Sequence, residues 1–292
     1  MNIKVSVIVV TYNAAATLES TILSITGQSY SNTELIIIDG KSNDDTLPLI
    51  AAYRQHIAYH VSEKDNGIYD AMNKGIKAST GDWIIFMGAD DVFYSNEAVS
   101  NIFSGNKEMQ TTDFIYTDVI LKSSNKKFGG SRTYNELLER NINHQSIFYK
   151  RVLLNKFNGF NTRYPILADY ELNLRIFRDG SVIKHYIPLN TTLFNDKGVS
   201  NVSIDAAFFE DQLNYLLQTE KIPARDPRLQ QYYFYKSFSG ILNGKWRTGI
   251  PLLLKALTSG KRKLYFFLVS IKFFLSMFGI GKKIKLSKAR VL

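Results

Sequence analysis

Apolar and polar positions along the first hundred residues predict strands and helices in turn. Uninterrupted β-branched and aliphatic runs predict strands at residues 5–10, 35–38, 57–61 and 83–87. Apolar residues at helical spacing predict helices over about 15–26, around 47–50 and over 68–78. Near-continuous apolar strands separated by helices are typical of a parallel sheet covered on both faces. This half of the chain therefore predicts an α/β unit of the nucleotide-binding kind.

The pattern changes after Asp113. Further strands are predicted at 114–121, 145–149, 182–187 and 191–194, and helices at 168–178 and about 205–218. From Arg228 onward the chain is helical in tendency and rich in aromatic residues. We expect one domain over 1–222, with halves at 1–112 and 113–222, followed by a helical region over 223–292.

Composition excludes some classes of site, and charge separates the two regions. The chain has no cysteine, which excludes disulfides, cysteine-zinc sites and thiol catalysis. All 26 acidic residues and 22 of the 36 Lys and Arg residues lie at or before Asp226, so residues 227–292 carry 14 basic residues and no acidic one. An acidic body with a basic tail predicts attachment to an anionic membrane surface, and we expect no nucleic-acid partner.

Two adjacent carboxylates, Asp90 and Asp91, follow the predicted strand 83–87. Ligands of open parallel sheets bind just outside the carboxyl ends of the strands. Two carboxylates at one such end need a cation between them, or the pKa of one rises steeply. The pair therefore favours a divalent metal that holds a diphosphate, with a turn or helix N-cap as the alternative.

Polar residues also end the first two predicted strands. Tyr12, after Thr11, could pack beside a base, and Asp39 could accept hydrogen bonds from a pyrimidine ring or a ribose hydroxyl. Each is also an ordinary turn sequence, but their combination at three strand ends favours a binding edge. The glycine-rich signatures of Rossmann dinucleotide sites and P-loops are missing from the sequence.

Residues 5–13 and 38–46 resemble the opening of family-2 glycosyltransferases with the GT-A fold. Residues 62–75 are similar to a subgroup that builds bacterial surface polysaccharides, the colanic-acid and exopolysaccharide type. The resemblance is dense over residues 3–100 and thinner to about 203. It implies a GT-A fold, with a mostly parallel sheet flanked by helices, to which this chain adds a helical, basic C-terminal extension.

The segment 81–91 resembles the metal motif of that family, although Gly88 stands where many members have Asn or Asp. The resemblance therefore assigns Mg²⁺ or Mn²⁺ to Asp91, helped by Asp90. It assigns the nucleotide-sugar donor to Thr11, Tyr12, Asp39, Asp65, Asn73, Lys74 and Asp90. For Lys74 a solvated helix position is the open alternative.

The segment 168–175 resembles the family's catalytic-base segment, which makes Asp169 the expected base. A sugar hydroxyl is a poor nucleophile until a carboxylate takes its proton, so the chemistry agrees. A helix N-cap is the open alternative for Asp169, and Glu171 is a rival base that points elsewhere on a helix. His144 and Gln145 match a pair that lines the acceptor side, although a lone histidine is more often structural.

Residues 195–200 resemble a loop that closes over the site, with an ordinary turn as the open alternative, and the resemblance implies no role for any single residue of it. The Gln-x-x-Arg-Trp signature of processive members is missing, which favours addition of one sugar per encounter.

The basic tail contains a 17-residue apolar run at 264–280, flanked by basic residues at 261–263 and 282–285. As a helix it spans only ~26 Å, short of a ~30 Å hydrocarbon core. Lys272 near its middle also disfavours spanning. We expect residues 261–292 to lie in an anionic membrane interface, while packing on protein and spanning stay open.

Together these features predict an inverting, metal-dependent glycosyltransferase of bacterial surface polysaccharide synthesis. The first half would bind the donor, with UDP favoured by family habit over GDP, and the second half a lipid-linked saccharide acceptor. The expected location is peripheral, on the cytoplasmic face of the bacterial inner membrane. The alternatives are a nucleotidyltransferase that makes nucleotide sugars, and a catalytically inactive membrane-associated sugar-binding scaffold.

Overall fold

The computed structural model describes residues 3–195, 205–260 and 262–277, and its contacts form two compact units. The sheet unit comprises Met1–Tyr134, Ile142–Pro165 and Asp169–Lys197. The helical unit comprises Asn135–Asn141, Ile166–Ala168 and Gly198–Leu292. The domain boundary expected at residue 222 stays a prediction.

The sheet unit is built on a nine-stranded sheet in the order β3-β2-β1-β4-β8-β6-β9-β5, with β7 beside β6. The strands are β1 Val5–Thr11, β2 Thr33–Asp39, β3 Tyr59–Ser62, β4 Trp83–Gly88, β5 Val92–Phe93, β6 Phe114–Leu121, β7 Lys126–Phe128, β8 Ile147–Lys150 and β9 Lys184–Phe194. The longest ladders, β1–β2, β1–β4 and β6–β9, are parallel. The mostly parallel sheet is therefore confirmed, while β8 joins its two parallel parts by antiparallel pairing.

The predicted second-half strands differ from the observed ones in detail. The strands expected at 182–187 and 191–194 are one strand, β9, whose register against β6 shifts around Asp118. The shift accommodates the residues of β9 that lie between the two predicted strands, where the sequence pattern predicted a break in the strand. The strand expected from Gln145 begins at Ile147, because residues His144–Ser146 form a 3₁₀ turn.

Helices cover the sheet and make up most of the helical unit. The first seven are α1 Leu18–Thr26, α2 Thr46–Ala52, α3 Ile68–Ala78, α4 Ser100–Phe103, α5 Tyr134–Leu137, α6 Arg151–Lys156 and α7 Ala168–Arg178. The last four are α8 Ala206–Gln218, α9 Gln230–Leu242, α10 Trp246–Thr258 and α11 Lys263–Met277. The predicted helices over 68–78 and 168–178 are confirmed at both ends.

Every residue of β1 is buried, because helices pack on both faces of the sheet. On one face, Val7 and Val9 join a core with Ile22 of α1. On the other, α3 approaches so closely that a Cβ added at Gly75 would lie 2.4 Å from the Ile8 side chain. The continuous apolar sequence of β1 thus reflects burial on both sides.

The parallel register brings the carboxyl ends of three strands to one edge. Thr11 pairs with Asp39, and Val10 pairs with Gly88. The turns that follow β1, β2 and β4 therefore lie side by side, as the sequence predicted. This edge carries the candidate site.

In the helical unit, aromatic side chains pack the helices against one another. The Phe209 ring of α8 stacks on Tyr235 of α9 at 4.4 Å, and Phe234 lies 4.3 Å from Phe266 of α11. Helices α9 and α10 meet at Gly249, where an added Cβ would lie 2.7 Å from Ile241. Within the described ranges, no helix combines the length and apolar character that crossing a membrane requires.

Candidate active site

Asp90 and Asp91 follow β4 and turn their carboxylates toward the same point. A Cβ built on Gly88 would lie 2.8 Å from Oδ1 of Asp90 and 3.0 Å from Oδ2 of Asp91. Two carboxylate oxygens thus converge beside this glycine, whose backbone N–H donates to Oδ2 of Asp91 over 3.1 Å. Burial raises the pKa of Asp91 to about 6, and the charge of Asp90 adds to the rise.

Side chains from distant segments hold these carboxylates in place. Gln145 donates from Nε2 to Oδ2 of Asp91 over 3.0 Å. The Asn195 backbone N–H donates to Oδ1 of Asp91 over 2.9 Å, and its side-chain amide donates to Asp90 over 2.6 Å. The Lys122 ammonium donates to the backbone carbonyl of Asp90. The turn is thus fixed by three elements besides its own strand.

The paired aspartates fit a divalent cation. Hard cations such as Mg²⁺ are typically held by one or two carboxylates together with substrate phosphates and water. Oδ1 of Asp90 accepts no hydrogen bond from the described part of the chain and is therefore available as a ligand. Among the described residues, no group of three or more acidic, His or Cys side chains could hold a metal ion.

Thr11 and Asp39 lie side by side at the ends of β1 and β2, and both are buried. Asp39 accepts hydrogen bonds from the backbone and hydroxyl of Ser42 and from the hydroxyl of Ser62. The Thr11 hydroxyl is buried and has no hydrogen-bond partner among the described residues. Asp39 therefore organises the turn after β2, while Thr11 leaves a polar atom unsatisfied at the same edge.

The turns after β1 and β2 interlock. Asn13 donates its N–H to the Ser42 hydroxyl and accepts from the N–H of Asn43. Asn13 and Lys41 both adopt positive φ angles, 49° and 66°, a conformation that non-glycine residues rarely adopt outside turns and functional sites. The hydrogen bonds between the two turns thus define the shape of this edge.

Tyr12 and Asp65 both lie close to Gly40. A Cβ at Gly40 would lie 2.6 Å from the Asp65 carboxylate and 3.5 Å from the Tyr12 ring. The Tyr12 side chain is 64% exposed, and its ring is open to stacking. The structure therefore brings Tyr12 and Asp65 to the same edge as Asp39.

Lys74 and Asn73, on α3, are both engaged by other residues. Lys74 forms an ion pair of 2.8 Å with Glu63 and lies 3.7 Å from Asp70. The Asn73 side-chain amide exchanges two hydrogen bonds with the backbone of Phe160. The donor roles predicted for these two residues stay predictions, and the observed contacts of Asn73 are structural.

Asp169 lies in the first turn of α7 and is buried. The Tyr69 hydroxyl donates to Oδ1 of Asp169 over 2.7 Å, and Nδ1 of His144 lies 3.3 Å from Oδ2. Burial raises the pKa of Tyr69 well above its usual range, and the charge of Asp169 adds to this, so the phenol stays protonated. Asp169 is the second residue of its helix and is therefore not the N-cap.

The rival carboxylate, Glu171, faces a different partner. It pairs with Arg175 of the same helix at 2.8 Å. The Arg175 guanidinium also donates to the backbone carbonyls of Phe157 and Gly159. Glu171 thus contacts a different partner from Asp169, as the helix geometry predicted, and belongs to an ion-pair cluster on α7.

His144 and Gln145 link the two groups of carboxylates. His144 contacts Asp169, and its neighbour Gln145 contacts Asp91. Thr192 of β9 holds the Gln145 carbonyl over 2.6 Å. The 3₁₀ turn before β8 therefore joins the predicted metal motif to the predicted base.

Sequence reasoning gave no role to Tyr69, Lys122 or Asn195. Lys122 and Asn195 directly follow strands β6 and β9. A position at a strand end is the same signal that made Asp39 and Asp90 candidate site residues. Tyr69 carries no comparable signal, because its partner lies 100 residues away. The remainder of the predicted closing loop, 196–200, lies outside the described residues.

The family model described as Glycosyl transferase family 2 matches residues 6–153. A PGL/p-HBAD biosynthesis glycosyltransferase of Mycobacterium tuberculosis is 35% identical over 210 residues, which cover 70% of this chain and 82% of that protein. The family-model match at 6–153 spans β1 to β8 and thus includes the carboxylates after β4.

Two solved structures share the fold. S. aureus TarS 1-349 in complex with UDP-GlcNAc superposes with a TM-score of 0.62 at 14% identity, covering 87% of this chain and 81% of that chain. The mannosyltransferase PcManGT from Pyrobaculum calidifontis, in complex with GDP-Man and Mn²⁺, gives a TM-score of 0.52 at 18% identity, covering 94% and 80%. With the family match, these likenesses confirm the predicted α/β GT-A fold.

Proposed function

Because the chain belongs to glycosyl transferase family 2 and is a glycosyltransferase, we propose that it moves a sugar from a nucleotide diphosphate donor to a lipid-linked saccharide. The observation that carries the proposal is the pair of linked carboxylate groups. Asp90 and Asp91 converge at Gly88, and the turn at 144–145 connects them to the buried Asp169. One group suits a metal-bound diphosphate, and the other suits an acceptor hydroxyl.

The donor nucleoside lies at the edge formed by Thr11, Tyr12, Asp39 and Asp65. The exposed Tyr12 ring offers a stacking surface, and the unsatisfied Thr11 hydroxyl offers a hydrogen bond. Lys74 is the proposed donor-binding cation beside this edge, where it pairs with Glu63 and lies close to Asp70. The UDP-GlcNAc complex of TarS and the GDP-Man complex of PcManGT support a nucleotide-sugar donor, with UDP as the proposed nucleotide.

Asp90 and Asp91 would hold Mg²⁺ or Mn²⁺. The metal would neutralise charge that develops on the departing diphosphate. Gln145 and Asn195 keep the Asp91 carboxylate oriented for this role. The Mn²⁺ of PcManGT supports a metal-dependent reaction.

Asp169 acts as the general base. It takes the proton of the acceptor hydroxyl as the oxygen attacks the anomeric carbon, and the bond from that carbon to the diphosphate oxygen breaks on the opposite face. The product is inverted, and the nucleoside diphosphate leaves. Tyr69 and His144 fix the orientation of Asp169, and His144 lies on the acceptor side.

The acceptor is presented at a membrane. The relative from M. tuberculosis carries the name PGL/p-HBAD biosynthesis glycosyltransferase, and the basic region 227–292 suits an anionic surface. The proposed location is peripheral, on the cytoplasmic face of the bacterial inner membrane, in surface polysaccharide or glycolipid synthesis.

Product analysis tests this proposal. The full chain is incubated with UDP-, GDP- and other nucleotide sugars in the presence and absence of Mn²⁺, and the released nucleotide is identified. Metal-dependent release of free nucleoside diphosphate supports the proposal. Pyrophosphate release from a nucleoside triphosphate and a sugar phosphate would instead support the nucleotidyltransferase, and no turnover of any donor would favour the inactive scaffold.

A further inference from the structure

Helix α10 leaves one apolar face uncovered. Trp246, Ile250 and Leu254 follow one another at intervals of four residues, so they share a face. Their side chains are 41%, 45% and 58% exposed. Gly249 and Leu253 lie on the face that packs into the helical unit and are buried.

Helix α11 repeats the arrangement. Its residues Leu264, Phe267, Leu268 and Ile271 have helical spacing and are between 40% and 70% exposed. Phe266, on another face, is buried against Phe234 of α9. Soluble proteins rarely leave large contiguous apolar patches exposed, and such patches mark interaction surfaces. Two neighbouring helices of the helical unit therefore both present an apolar row.

The charges beside these rows indicate which kind of partner covers them. Exposed basic residues flank both rows: Lys245 and Arg247 lie at the start of α10, and Arg262 and Lys263 lie at the start of α11. The sequence places no acidic residue after Asp226. A second copy of this surface would bring like charges together, whereas an anionic lipid bilayer attracts the cations and accepts the apolar side chains.

We propose that α10, together with α11, lies in the headgroup region of an anionic membrane, with Trp246, Ile250 and Leu254 inserted toward the acyl chains. This inference rests on the proposed function for the presence of a membrane acceptor. It extends the attachment, which the sequence assigned to residues 261–292, to a helix that precedes that segment. Trp246 acts as an interfacial anchor, since tryptophan prefers the boundary between headgroups and hydrocarbon.

Co-sedimentation of the full chain with phosphatidylcholine vesicles, with and without phosphatidylglycerol, tests the surface. The variant Trp246→Ser/Ile250→Ser/Leu254→Ser should bind the anionic vesicles at least about tenfold more weakly than the wild type. The matched control is Leu23→Ser/Val152→Ser/Ile183→Ser, which removes three equally exposed apolar side chains from the sheet unit. It should bind like the wild type.

A second measurement does not depend on the folding of the triple variant. Vesicles with brominated acyl chains quench tryptophan at insertion depth, and the only other tryptophan, Trp83, is buried. Quenching should occur in the wild type and disappear in Trp246→Phe, which should still sediment with the vesicles. Unquenched Trp246, equal binding of the two triple variants, or equal binding to both lipid compositions would overturn the inference.

A Trp246 emission shift that depends on protein concentration without vesicles would assign the surface to a second copy and would also overturn it. Donor hydrolysis measured on the same preparations without lipid separates the two proposals. Intact hydrolysis with failed vesicle binding rejects the membrane surface alone. Vesicle binding without hydrolysis of any donor rejects the proposed transferase.

Discussion

The carboxylates of the site differ in what surrounds them. Asp91 is 1% exposed, and its burial opposes the charged form, while the hydrogen bonds from Asn195 and Gln145 favour it. Asp169 is paired with a phenol and an imidazole. Glu171 is paired with an arginine of its own helix. Because Asp169 and Glu171 have different partners on the same helix, their substitutions are expected to have different consequences.

Replacing Asp169 by Asn removes the proposed base and keeps the shape of the side chain. General-base catalysis contributes about 10²–10⁴-fold, so we expect turnover to fall by at least about 100-fold. Donor binding should stay within a factor of about two, because the nucleotide edge is formed by other residues. Steady-state kinetics and UDP titration measure the two quantities.

Glu171→Gln is the matched control, since it changes the neighbouring buried carboxylate of the same helix. Loss of the ion pair with Arg175 should lower the midpoint of thermal unfolding. The turnover rate should remain close to that of the wild type. If Glu171→Gln is inactive and Asp169→Asn is active, the two carboxylates have been assigned the wrong way round.

Gln145 offers a test of the link to Asp91. Gln145→Met keeps most of the volume and removes the amide that donates to Oδ2. Partners that orient metal ligands typically affect affinity by about 10–100-fold, and we expect Mn²⁺ in the presence of UDP to bind weaker by this factor. Calorimetric titration of Mn²⁺ measures it, and UDP binding without metal is the control. An unchanged Mn²⁺ affinity would mean that Gln145 does not support a metal ligand.

The sequence could place Asp39, Asp90 and Asp91 at one edge, because parallel strands all end on the same side. It could not reveal the contacts between distant segments. Gln145 reaches Asp91 across 54 residues, and Tyr69 reaches Asp169 across 100. Such pairs depend on the order of strands β4, β8 and β6, which local periodicity does not encode.

At the scale of elements, periodicity was most reliable where a helix is amphipathic. The bounds of α3 and α7 agree with the prediction. The short strands β5 and β7 were missed, since two or three residues carry no period. Strand β9 was divided in two because its register shift near Asp118 interrupts the apolar alternation.

The packing of α3 on β1 leads to a stability prediction. Gly75→Ala places a methyl group 2.4 Å from the Ile8 side chain in a fully packed core. Overpacking of this kind costs about 1–3 kcal/mol of the free energy of unfolding. Gly180→Ala is the control, because no atom lies within 4 Å of its Cβ position. The midpoints of thermal unfolding of the two variants are compared. Equal midpoints would mean that α3 moves away from Ile8 with no loss of unfolding free energy.

Glu34 ties the starts of three strand segments together. It accepts from Ser6 and from Thr80, and it pairs with Lys4 at 2.6 Å. Burial alone would raise the pKa of Glu34, but these hydrogen bonds outweigh it and hold the pKa at about 2, below its ordinary value of 4.5. Its contribution to stability is therefore complete above pH 4.5 and is lost as the pH falls toward 2.

Glu34→Gln should consequently destabilise the protein near neutral pH by about 1–2 kcal/mol, a value reduced for the partial exposure of Lys4. The difference from the wild type should shrink as the pH falls from about 5 to about 2. Urea unfolding at several pH values measures it. A difference that is constant over this range would show that the carboxylate charge is not what stabilises the strand ends.

In the whole molecule, the candidate site and the proposed membrane-binding helices lie in different regions of the chain. The acidic residues lie at or before Asp226 and the site lies before it, whereas residues 227–292, which include the apolar rows of α10 and α11, carry 14 basic residues. Membrane binding should accordingly have an electrostatic part, which salt screens, and an apolar part, which it does not. Hydrolysis of a soluble donor should depend little on either the electrostatic or the apolar part.

Raising the ionic strength from about 0.1 M to about 1 M shortens the Debye length from about 10 Å to about 3 Å. We expect the full chain to dissociate from vesicles containing phosphatidylglycerol over this range by at least about tenfold in apparent affinity, since each basic residue near the surface contributes about 1 kcal/mol. Donor hydrolysis without lipid, followed in the same buffers, should change much less and is the control. Salt-independent sedimentation would mean that the basic residues do not contact the headgroups and that apolar burial alone holds the protein at the membrane.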